Sequence, residues 1–230
     1  MSDSVNGTGR LYRIMDFTRV VQIFEKEELY FASPKSWDDP YEQRVSHGKS
    51  HTLFAQCWCQ LGISDAMWRI YSQGGMGVRI STTPAKIRDQ VRSSVKAAGY
   101  KWRGRAVTYM SQAELNKNAK EIAADLQANF TIGRAADLLF MKRDAFRHES
   151  EWRAMVYCPD QSAVESKLGM SIPVDPHSLI DRILLDPRAP DELVDAFKFY
   201  FEKKLKFKGE VVRSVLYKSP KPLHVDDELI

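Results

Sequence analysis

The chain has 230 residues, of which 43% are hydrophobic and 28% are charged. This length and composition fit one large domain or two small ones, and they exclude a collagen-like or wholly disordered chain. The formal net charge of +4 is too small to indicate nucleic-acid binding by itself. The positive charge is nevertheless concentrated, because residues 79–105 contain eight basic residues and a single acidic residue, Asp89. The sequence therefore indicates a globular protein with a locally basic surface.

Membrane, secretory and disulfide-rich classes are not indicated. No stretch approaches the roughly 18 consecutive apolar residues of a membrane-spanning helix. The first residues lack the basic segment followed by an apolar run that typifies a secretory signal. The three cysteines, Cys57, Cys59 and Cys158, are too few and odd in number for a disulfide framework. We therefore expect a cytoplasmic protein with free thiols and no membrane partner.

Apolar periodicity and turn residues predict alternating strands and helices in the first part of the chain. Residues 1–10 are small and polar, which favours a disordered leader. The predicted elements that follow are a strand at 11–14, a helix capped by Asp16 or Thr18 and ending near residue 28, a strand at 29–32, a turn-rich loop at 33–42, a strand at 53–60, a helix from residue 64 or 65 to 71, and a strand at 78–81.

The remaining elements follow the same alternation. Pro84 suits the first turn of a helix that runs to about residue 98. Ser111 and Glu114 have the spacing of a capping box at the start of a helix that ends near residue 130. The other predicted elements are strands at 106–110, 151–157, 180–185 and 211–216, a short helical piece at 138–140, a helix at 191–205 and a surface tail at 218–230. With no internal repeat or linker, we predict a single α+β domain over residues 11–217, with a mixed or antiparallel central sheet and flanking helices.

Glu149, Glu151 and Arg153 stand at the start of a predicted strand. In an extended backbone these three side chains project to the same side, so two carboxylates and a guanidinium would share a small volume. Such a set suits acid–base catalysis or the stabilisation of a cation. A buried Arg–Glu bridge that ties the strand to a helix is the alternative interpretation, and periodicity does not decide between them.

The loop at 33–42 offers a different chemistry. Oxygens of Asp38, Asp39 and Glu42 could hold Mg²⁺ together with Glu149 and Glu151, as in a metal-dependent nuclease. The alternative is a turn in which Asp39 accepts a backbone hydrogen bond and Glu42 accepts from loop amides.

A zinc site is weakly indicated. His47, His51, Cys57 and Cys59 are suitable residue types, but they lack the spacing of a zinc knuckle. We expect the two cysteines to be small core residues and predict no resident metal.

Cations recur along one face of the predicted helix at 84–98, beside an apolar stripe, and continue into a segment with two aromatic residues. We call these six cations the basic stripe: Arg88, Arg92, Lys96, Lys101, Arg103 and Arg105. Interleaved cations and aromatics suit phosphate neutralisation and base stacking, so the stripe predicts a nucleic-acid interface. An ordinary solvated helix face is the alternative.

Several short motifs occur together in a fixed order. They are Leu11-Tyr12-Arg13, Ser33-Pro34-x-x-Trp37-x-Asp39-Pro40-x-Glu42, Cys57, Met67-Trp68-x-x-Tyr71, Gly77-Val78-x-Ile80 and Glu149-x-Glu151-Trp152-Arg153. In this combination, roughly residues 11–217 resemble a bacterial and phage family named domain of unknown function 2971. The chain departs from the family pattern at Trp37 and Trp58, where the family usually has phenylalanine, and neither change removes a charged position.

The layout of that family is similar to that of ADP-ribosyltransferases. This resemblance implies that Arg13 contacts a ribose or phosphate of NAD, that Tyr71 stacks near the nicotinamide, and that a carboxylate of the E-x-E pair holds a ribose hydroxyl. The carboxylate would stabilise an oxocarbenium-like transition state as nicotinamide leaves. The implied NAD-binding residues are Tyr12, Arg13, Ser33, Trp37, Asp39, Trp68 and Tyr71, and the implied catalytic residues are Glu149, Glu151 and Arg153. The Ser-Thr-Ser motif of some transferases is matched only loosely by Ser81-Thr82-Thr83.

These patterns together predict an ADP-ribosyltransferase-like enzyme that uses NAD as a substrate and modifies a macromolecule: RNA, DNA or protein, with nucleic acid favoured. By analogy, a toxin or a phage-defence effector is the expected setting. Two alternatives stay open: a metal-dependent nuclease built on the acidic loop and the E-x-E strand, and a non-catalytic nucleic-acid-binding module that uses the basic stripe. The oligomeric state does not follow from the sequence.

Overall fold

The computed structural model describes residues 9–45, 47–157 and 168–223. Within these ranges the chain forms eleven strands and seven α-helices, joined by short 3₁₀ turns. The strands are β1 (Leu11–Asp16), β2 (Glu28–Ala32), β3 (Leu53–Cys59), β4 (Gly77–Thr82), β5 (Lys101–Ala106), β6 (Thr108–Met110), β7 (Met141–Arg143), β8 (Glu151–Tyr157), β9 (Gly169–Pro173), β10 (Arg182–Leu185) and β11 (Glu210–Arg213). The helices are α1 (Phe17–Lys26), α2 (Asp65–Tyr71), α3 (Pro84–Ala97), α4 (Gln112–Ala128), α5 (Ile132–Asp137), α6 (Pro176–Leu179) and α7 (Asp191–Phe199), the last continued by a π-helical turn at Tyr200–Lys204.

Nine of the strands form one sheet. Seven of them are ordered β11-β10-β4-β1-β3-β2-β9, while β8 pairs with β3 and β5 pairs with β8. The pairs in this sheet are antiparallel except β10 with β11, and β6 and β7 form a separate parallel pair. The prediction of an α+β fold with a mixed, mostly antiparallel sheet and flanking helices is confirmed.

The nine-stranded sheet is joined unevenly at β3. This strand pairs with β8 at seven register positions, from Leu53 opposite Tyr157 to Cys59 opposite Glu151. It pairs with β1 at one position, Tyr12 opposite Cys59, and with β2 at one position. Because a full ladder is missing between β1 and β3, these neighbouring strands diverge beyond their single pair.

Apolar helix faces pack against the sheet. In α3, Ile87, Val91 and Val95 recur every four residues and are at most 2% exposed, so the predicted apolar stripe is the face that is buried. Each such side chain stabilises the fold by about 1.5–3 kcal/mol relative to an exposed one. In α1, the corresponding buried residues are Val20, Val21, Ile23 and Phe24.

Some predicted boundaries are wrong. The strand predicted at 106–110 is two strands, β5 and β6, and β5 contains the cationic segment that follows α3. Because β5 pairs with β8 alone, it is an edge strand whose residues can stay polar, so apolar alternation did not mark it. The strands β7 and β9 and the short helix α6 were not predicted. Asp16 does precede α1, but its side chain makes no capping hydrogen bond.

Several predictions fall outside the described residues. These are the leader at 1–8, Cys158 and the end of the tail at 224–230. The domain limits 11–217 stay a prediction. In the ranges that the structure describes, no helix is both long enough and apolar enough to cross a membrane.

Candidate functional site

A cavity of about 610 Å³ opens where β1 and β3 diverge. Its size is within the roughly 300–1,000 Å³ typical of small-molecule sites. One wall is β1, a second is formed by the ends of β3 and β8, and α2 and the loop after β2 complete it. Its polar and aromatic lining includes Tyr12, Arg13, Trp37, Asp39, Glu42, Tyr71, Arg79, Lys142, Glu149, Glu151 and Arg153.

The two carboxylates of the E-x-E pair meet through a turn. Glu149 ends the 3₁₀ turn Asp144–Glu149, Ser150 has a left-handed φ of 41°, and β8 begins only at Glu151. The prediction that Glu149 and Glu151 project together from one extended strand is therefore wrong, because Glu149 belongs to a 3₁₀ turn and Ser150 has a left-handed backbone conformation. Their side chains still converge, since Lys142 Nζ lies 2.6 Å from Glu149 Oε2 and 3.3 Å from Glu151 Oε2.

Arg153 is the centre of a buried ion network. Its Nε and Nη2 donate to the two oxygens of Glu151, each at 2.7 Å, and Nη2 also donates to Glu42 Oε1. Its Nη1 donates to the Leu139 carbonyl at 2.6 Å, and its guanidinium lies 4.2 Å from the centroid of the Trp37 ring. With Arg153 only 1% exposed, the Arg–Glu bridge that the sequence left as an alternative is present.

Burial and charge act against each other in this network. Burial raises the pKa of Glu42 although Arg153 lies beside it. Burial has the same effect on Glu151, but the hydrogen bond and charge of Arg153, together with Lys142, outweigh it and lower the pKa of Glu151. Burial favours the neutral form of Lys142, but nearby carboxylates, with Glu151 foremost, raise its pKa. Three carboxylates face two cations here, so the cluster carries one more formal negative charge than positive charge.

Arg13 contrasts with these paired cations. It lines the cavity from β1 and has no hydrogen bond or ion pair within the described part of the chain. Burial lowers its pKa, while the electrostatic effects of Cys57, Tyr71 and Glu151 act in the opposite direction. A half-buried guanidinium whose donors have no protein partner among the described residues is a favourable ligand for an anion. Arg13 is therefore the candidate phosphate ligand.

The acidic loop folds as a turn and not as a metal site. Asp39 Oδ1 accepts from the Tyr41 amide at 3.1 Å and from Arg143 Nη2 at 2.9 Å, while Glu42 accepts from Arg153 and not from loop amides. Among the described residues, no group of three His, Cys, Asp or Glu side chains could hold a metal ion. The carboxylates of the nuclease alternative do line one cavity, namely those of Asp38, Asp39, Glu42, Glu149 and Glu151. The three glutamates are engaged there by Lys142 and Arg153.

Two of the predicted NAD-binding residues lie away from the cavity. Ser33 is 4% exposed, and its amide donates to the Leu168 carbonyl at 2.8 Å. Trp68 is 1% exposed on the inner face of α2, whereas Tyr71, three residues later, is 43% exposed at the cavity rim. The structure therefore does not bring Ser33 and Trp68 into the cavity lining with the other predicted NAD-binding residues. The other five, Tyr12, Arg13, Trp37, Asp39 and Tyr71, line the cavity.

The basic stripe does not line the cavity, and half of it is paired. Arg103 and Arg105 bond Asp137 at 2.7 and 3.3 Å, and Arg88 bonds Asp89 at 2.8 Å. These contacts reduce the cationic surface below what the sequence indicated. The three members without an ion pair in the described ranges are Arg92, Lys96 and Lys101, all exposed.

Sequence reasoning missed three cavity residues. Lys142 begins the run of residues that contains the E-x-E pair, but the sequence analysis gave it no role and did not predict its strand, β7. Arg79 on β4 stacks on Tyr12, with its guanidinium 4.7 Å from the ring centroid. Cys57 was assigned to the core, but it borders the cavity beside Glu151. A basic residue next to apolar Val78 and Ile80 was the signal available for Arg79.

Known proteins were compared with this chain and its structure. Residues 67–154 match the family model described as Protein of unknown function (DUF2971). This match confirms the resemblance to the domain of unknown function 2971 over that part of the chain. A search of curated proteins finds no match.

Solved structures of DarT from Thermus sp. 2.9 are similar to this structure at low sequence identity. DarT in complex with NAD+ has 13% identity and a TM-score of 0.42, with 90% of this chain and 95% of that chain covered. DarT in complex with ADP-ribosylated ssDNA has 12% identity and a TM-score of 0.43, with 90% and 94% covered.

Proposed function

We propose that the chain is an ADP-ribosyltransferase-like enzyme that cleaves NAD and transfers ADP-ribose to a macromolecule. The observation that carries the proposal is the lining of one cavity by an unpaired guanidinium, Arg13, and by a carboxylate-rich cluster around Glu149 and Glu151. NAD has the matching chemistry, because it joins an anionic pyrophosphate to a ribose that becomes cationic when nicotinamide leaves.

Arg13 is assigned to the pyrophosphate. Guanidinium–phosphate contacts are charge-assisted and can be bidentate, and Arg13 has no carboxylate partner within the described residues that would compete. Burial disfavours the charged form of Arg13, so an anion stabilises this guanidinium more than it would stabilise an exposed arginine.

The carboxylate cluster is assigned to the ribose. As the bond from C1′ to the nicotinamide nitrogen breaks, nicotinamide leaves with the bonding electron pair and the ribose acquires oxocarbenium character. The excess negative charge of the cluster stabilises that cation. The acceptor nucleophile then bonds to C1′ and one proton is released to water, so the balanced products are ADP-ribosylated acceptor, nicotinamide and a proton.

Tyr71 lies at the mouth of the cavity and is assigned to contact with the planar rings of NAD. It is partly exposed, and burial raises its pKa to about 12, so its hydroxyl stays protonated and can donate at neutral pH. Trp37 is less available for stacking, because the Arg153 guanidinium already lies over its ring.

Nucleic acid is the acceptor class that we propose. Arg92, Lys96 and Lys101 are exposed cations of the basic stripe on α3 and β5, and they suit a phosphate backbone. A cytoplasmic toxin or phage-defence effector is the proposed setting.

The first test is nicotinamide release from NAD without added metal, with labelled NAD used to locate the product among RNA, DNA and protein. Release should persist with chelator, because the proposed chemistry uses no metal. Release that requires a divalent metal, or the absence of release with all three acceptors, would contradict the proposal.

Arg13→Gln tests the phosphate assignment. We expect the KM for NAD to rise by roughly tenfold or more, because a charge-assisted contact is lost. Arg19→Gln is the matched control, since Arg19 is an exposed arginine on α1 outside the cavity lining. Equal KM values for the two variants in steady-state kinetics would contradict the role of Arg13.

A further inference from the structure

The two carboxylates of the E-x-E pair differ in how much of their acceptor capacity is already used. Both oxygens of Glu151 accept from Arg153 at 2.7 Å, Oε2 also accepts from Lys142 at 3.3 Å, and the Cys57 thiol is a further donor. An ionised carboxylate offers about four acceptor sites. Since Glu151 is also only 4% exposed, its acceptor sites are taken up inside the protein.

Glu149 keeps one oxygen available. Its Oε2 accepts from Lys142 at 2.6 Å, whereas Oε1 has no hydrogen-bond partner in the part of the chain that the structure describes. The side chain is 14% exposed and lines the cavity. A hydroxyl of a bound ribose is a donor that this free oxygen can accept.

Lys142 is held mainly by carboxylates. Its ammonium donates to Glu149 and Glu151 and lies 4.8 Å from the centroid of the Phe146 ring. Two of its three donors are therefore used by the E-x-E pair, and the cation–π contact holds the ammonium in place. The short contact with Glu149 fixes the position of that carboxylate.

We propose that Glu149 is the carboxylate that contacts the substrate ribose, and that Lys142 is the positioning residue that holds it. Glu151 and Arg153 are then the buried support of this pair and do not contact the ribose. The inference rests on the proposed NAD chemistry and narrows the catalytic set expected from the sequence.

The first experiment compares Glu149→Gln with Glu151→Gln in nicotinamide release by the full chain. For Glu149→Gln we expect kcat to fall on the order of 100-fold with an unchanged KM for NAD, and a smaller loss of the thermal midpoint than for Glu151→Gln, because Glu149 has one ion-pair partner and Glu151 has two. For Glu151→Gln we expect a lowered thermal midpoint, because a buried ion network is disrupted. A folded Glu149→Gln variant that keeps more than roughly one tenth of wild-type kcat would overturn the assignment.

The second experiment compares Lys142→Met with Lys142→Arg. Lys142 acts with Arg153 to lower the pKa of Glu151, so without the ammonium the acid limb of the pH–rate profile should move to higher pH in Lys142→Met. Lys142→Arg keeps the charge and should restore the wild-type limb. The other titratable groups around Lys142, unchanged in both variants, are Glu42, Tyr71, Tyr109 and Arg153.

The outcomes distinguish a failure of the roles of Glu149 and Lys142 from a failure of the proposed function. An unchanged acid limb in folded Lys142→Met would overturn the positioning role of Lys142. Release by the wild type together with normal release by Glu149→Gln would overturn only the assignment of Glu149. A wild-type chain that releases no nicotinamide would overturn the proposed function and the role of Glu149 with it.

Discussion

Arg153 shows how a residue can border a functional cavity and still serve mainly the fold. It is almost completely buried, and it bonds two carboxylates and one backbone carbonyl. Breaking such a network by removing one partner is costly, because charges of the opposite sign stay buried without compensation. The stability of the region around Glu42 and Glu151 therefore depends on this one guanidinium.

Replacing Arg153 with methionine should lower the free energy of unfolding by about 3–5 kcal/mol, because Glu42 would lose its ion-pair partner and Glu151 would keep only Lys142. Urea unfolding at pH 7 measures this loss. Arg147→Met is the matched control, since Arg147 pairs with Asp144 on the surface with 64% of its side chain exposed. Similar losses in the two variants would show that Arg153 is not part of a critical network.

The carboxyl of Glu151 should make stability depend on pH. Burial opposes its ionisation, but Arg153 and Lys142 lower its pKa below the value of about 4.3 expected in the unfolded chain. This stabilisation is present above the unfolded pKa and is lost as pH falls through the folded pKa. In urea unfolding between pH 6 and 3, Glu151→Gln should flatten the decline in stability.

Glu42→Gln is the control for this measurement. Burial raises the pKa of Glu42, so the linkage has the opposite sign and removing this group should not flatten the decline. Equal slopes in wild type and Glu151→Gln would contradict the lowered pKa of Glu151.

At the scale of elements, sequence patterns predicted helix ends correctly where the capping contacts lie within one helix. Ser111 and Glu114 form the predicted capping box of α4: the Glu114 amide donates to Ser111 Oγ at 3.2 Å, and the Ser111 amide donates to Glu114 Oε2 at 2.9 Å. The sequence marked this helix start because both partners lie three residues apart.

Ser111→Ala should destabilise the protein by about 1 kcal/mol, because the first turn of α4 loses a hydrogen-bond acceptor. Chemical denaturation measures this difference. Ser93→Ala is the control, because Ser93 lies inside α3, is exposed and caps no helix end. A larger loss for Ser93→Ala than for Ser111→Ala would contradict the capping role.

The site could be predicted only in part, because some of its contacts join residues that are far apart in the sequence. The motif around Glu149 and Arg153 was visible because its residues are adjacent, and the strand β8 was found from its large side chains. The contact of Lys142 with both carboxylates depends on a left-handed turn at Ser150, which neither periodicity nor spacing indicates. The pairing of Arg103 and Arg105 with Asp137 spans more than thirty residues and likewise lies beyond local patterns.

At the scale of the whole molecule, the small net charge of +4 conceals separate charged regions. The carboxylate cluster lies in the cavity, whereas the exposed cations Arg92, Lys96 and Lys101 lie on α3 and β5 and do not line it. A polyanionic acceptor would therefore bind the exposed cations on α3 and β5 while its reacting group enters the cavity. Affinity for the acceptor and chemistry on NAD should be separable by mutation.

Changing Arg92, Lys96 and Lys101 together to glutamine should weaken the binding of single-stranded DNA or RNA and reduce its dependence on salt. Each lost phosphate contact lowers the slope of log K against log salt by about 0.7 for a single strand. Fluorescence anisotropy at several salt concentrations measures the slope. The control changes three exposed lysines near the C-terminal end of α7, Lys203, Lys204 and Lys208, and equal slopes in both triple variants would contradict a role for the stripe.

The single register pair between β1 and β3 has a consequence for how the molecule would respond to its substrate. Arg13 lies on β1, and Glu149 lies beside the start of β8, which is fully paired with β3. A dinucleotide bound to both residues would therefore bridge two parts of the sheet that share little backbone pairing. It would act as a non-covalent cross-link that stiffens the protein. Because the ribose stays joined to the pyrophosphate when nicotinamide leaves, this cross-link would last until the ADP-ribosyl group is released from the cavity with its acceptor.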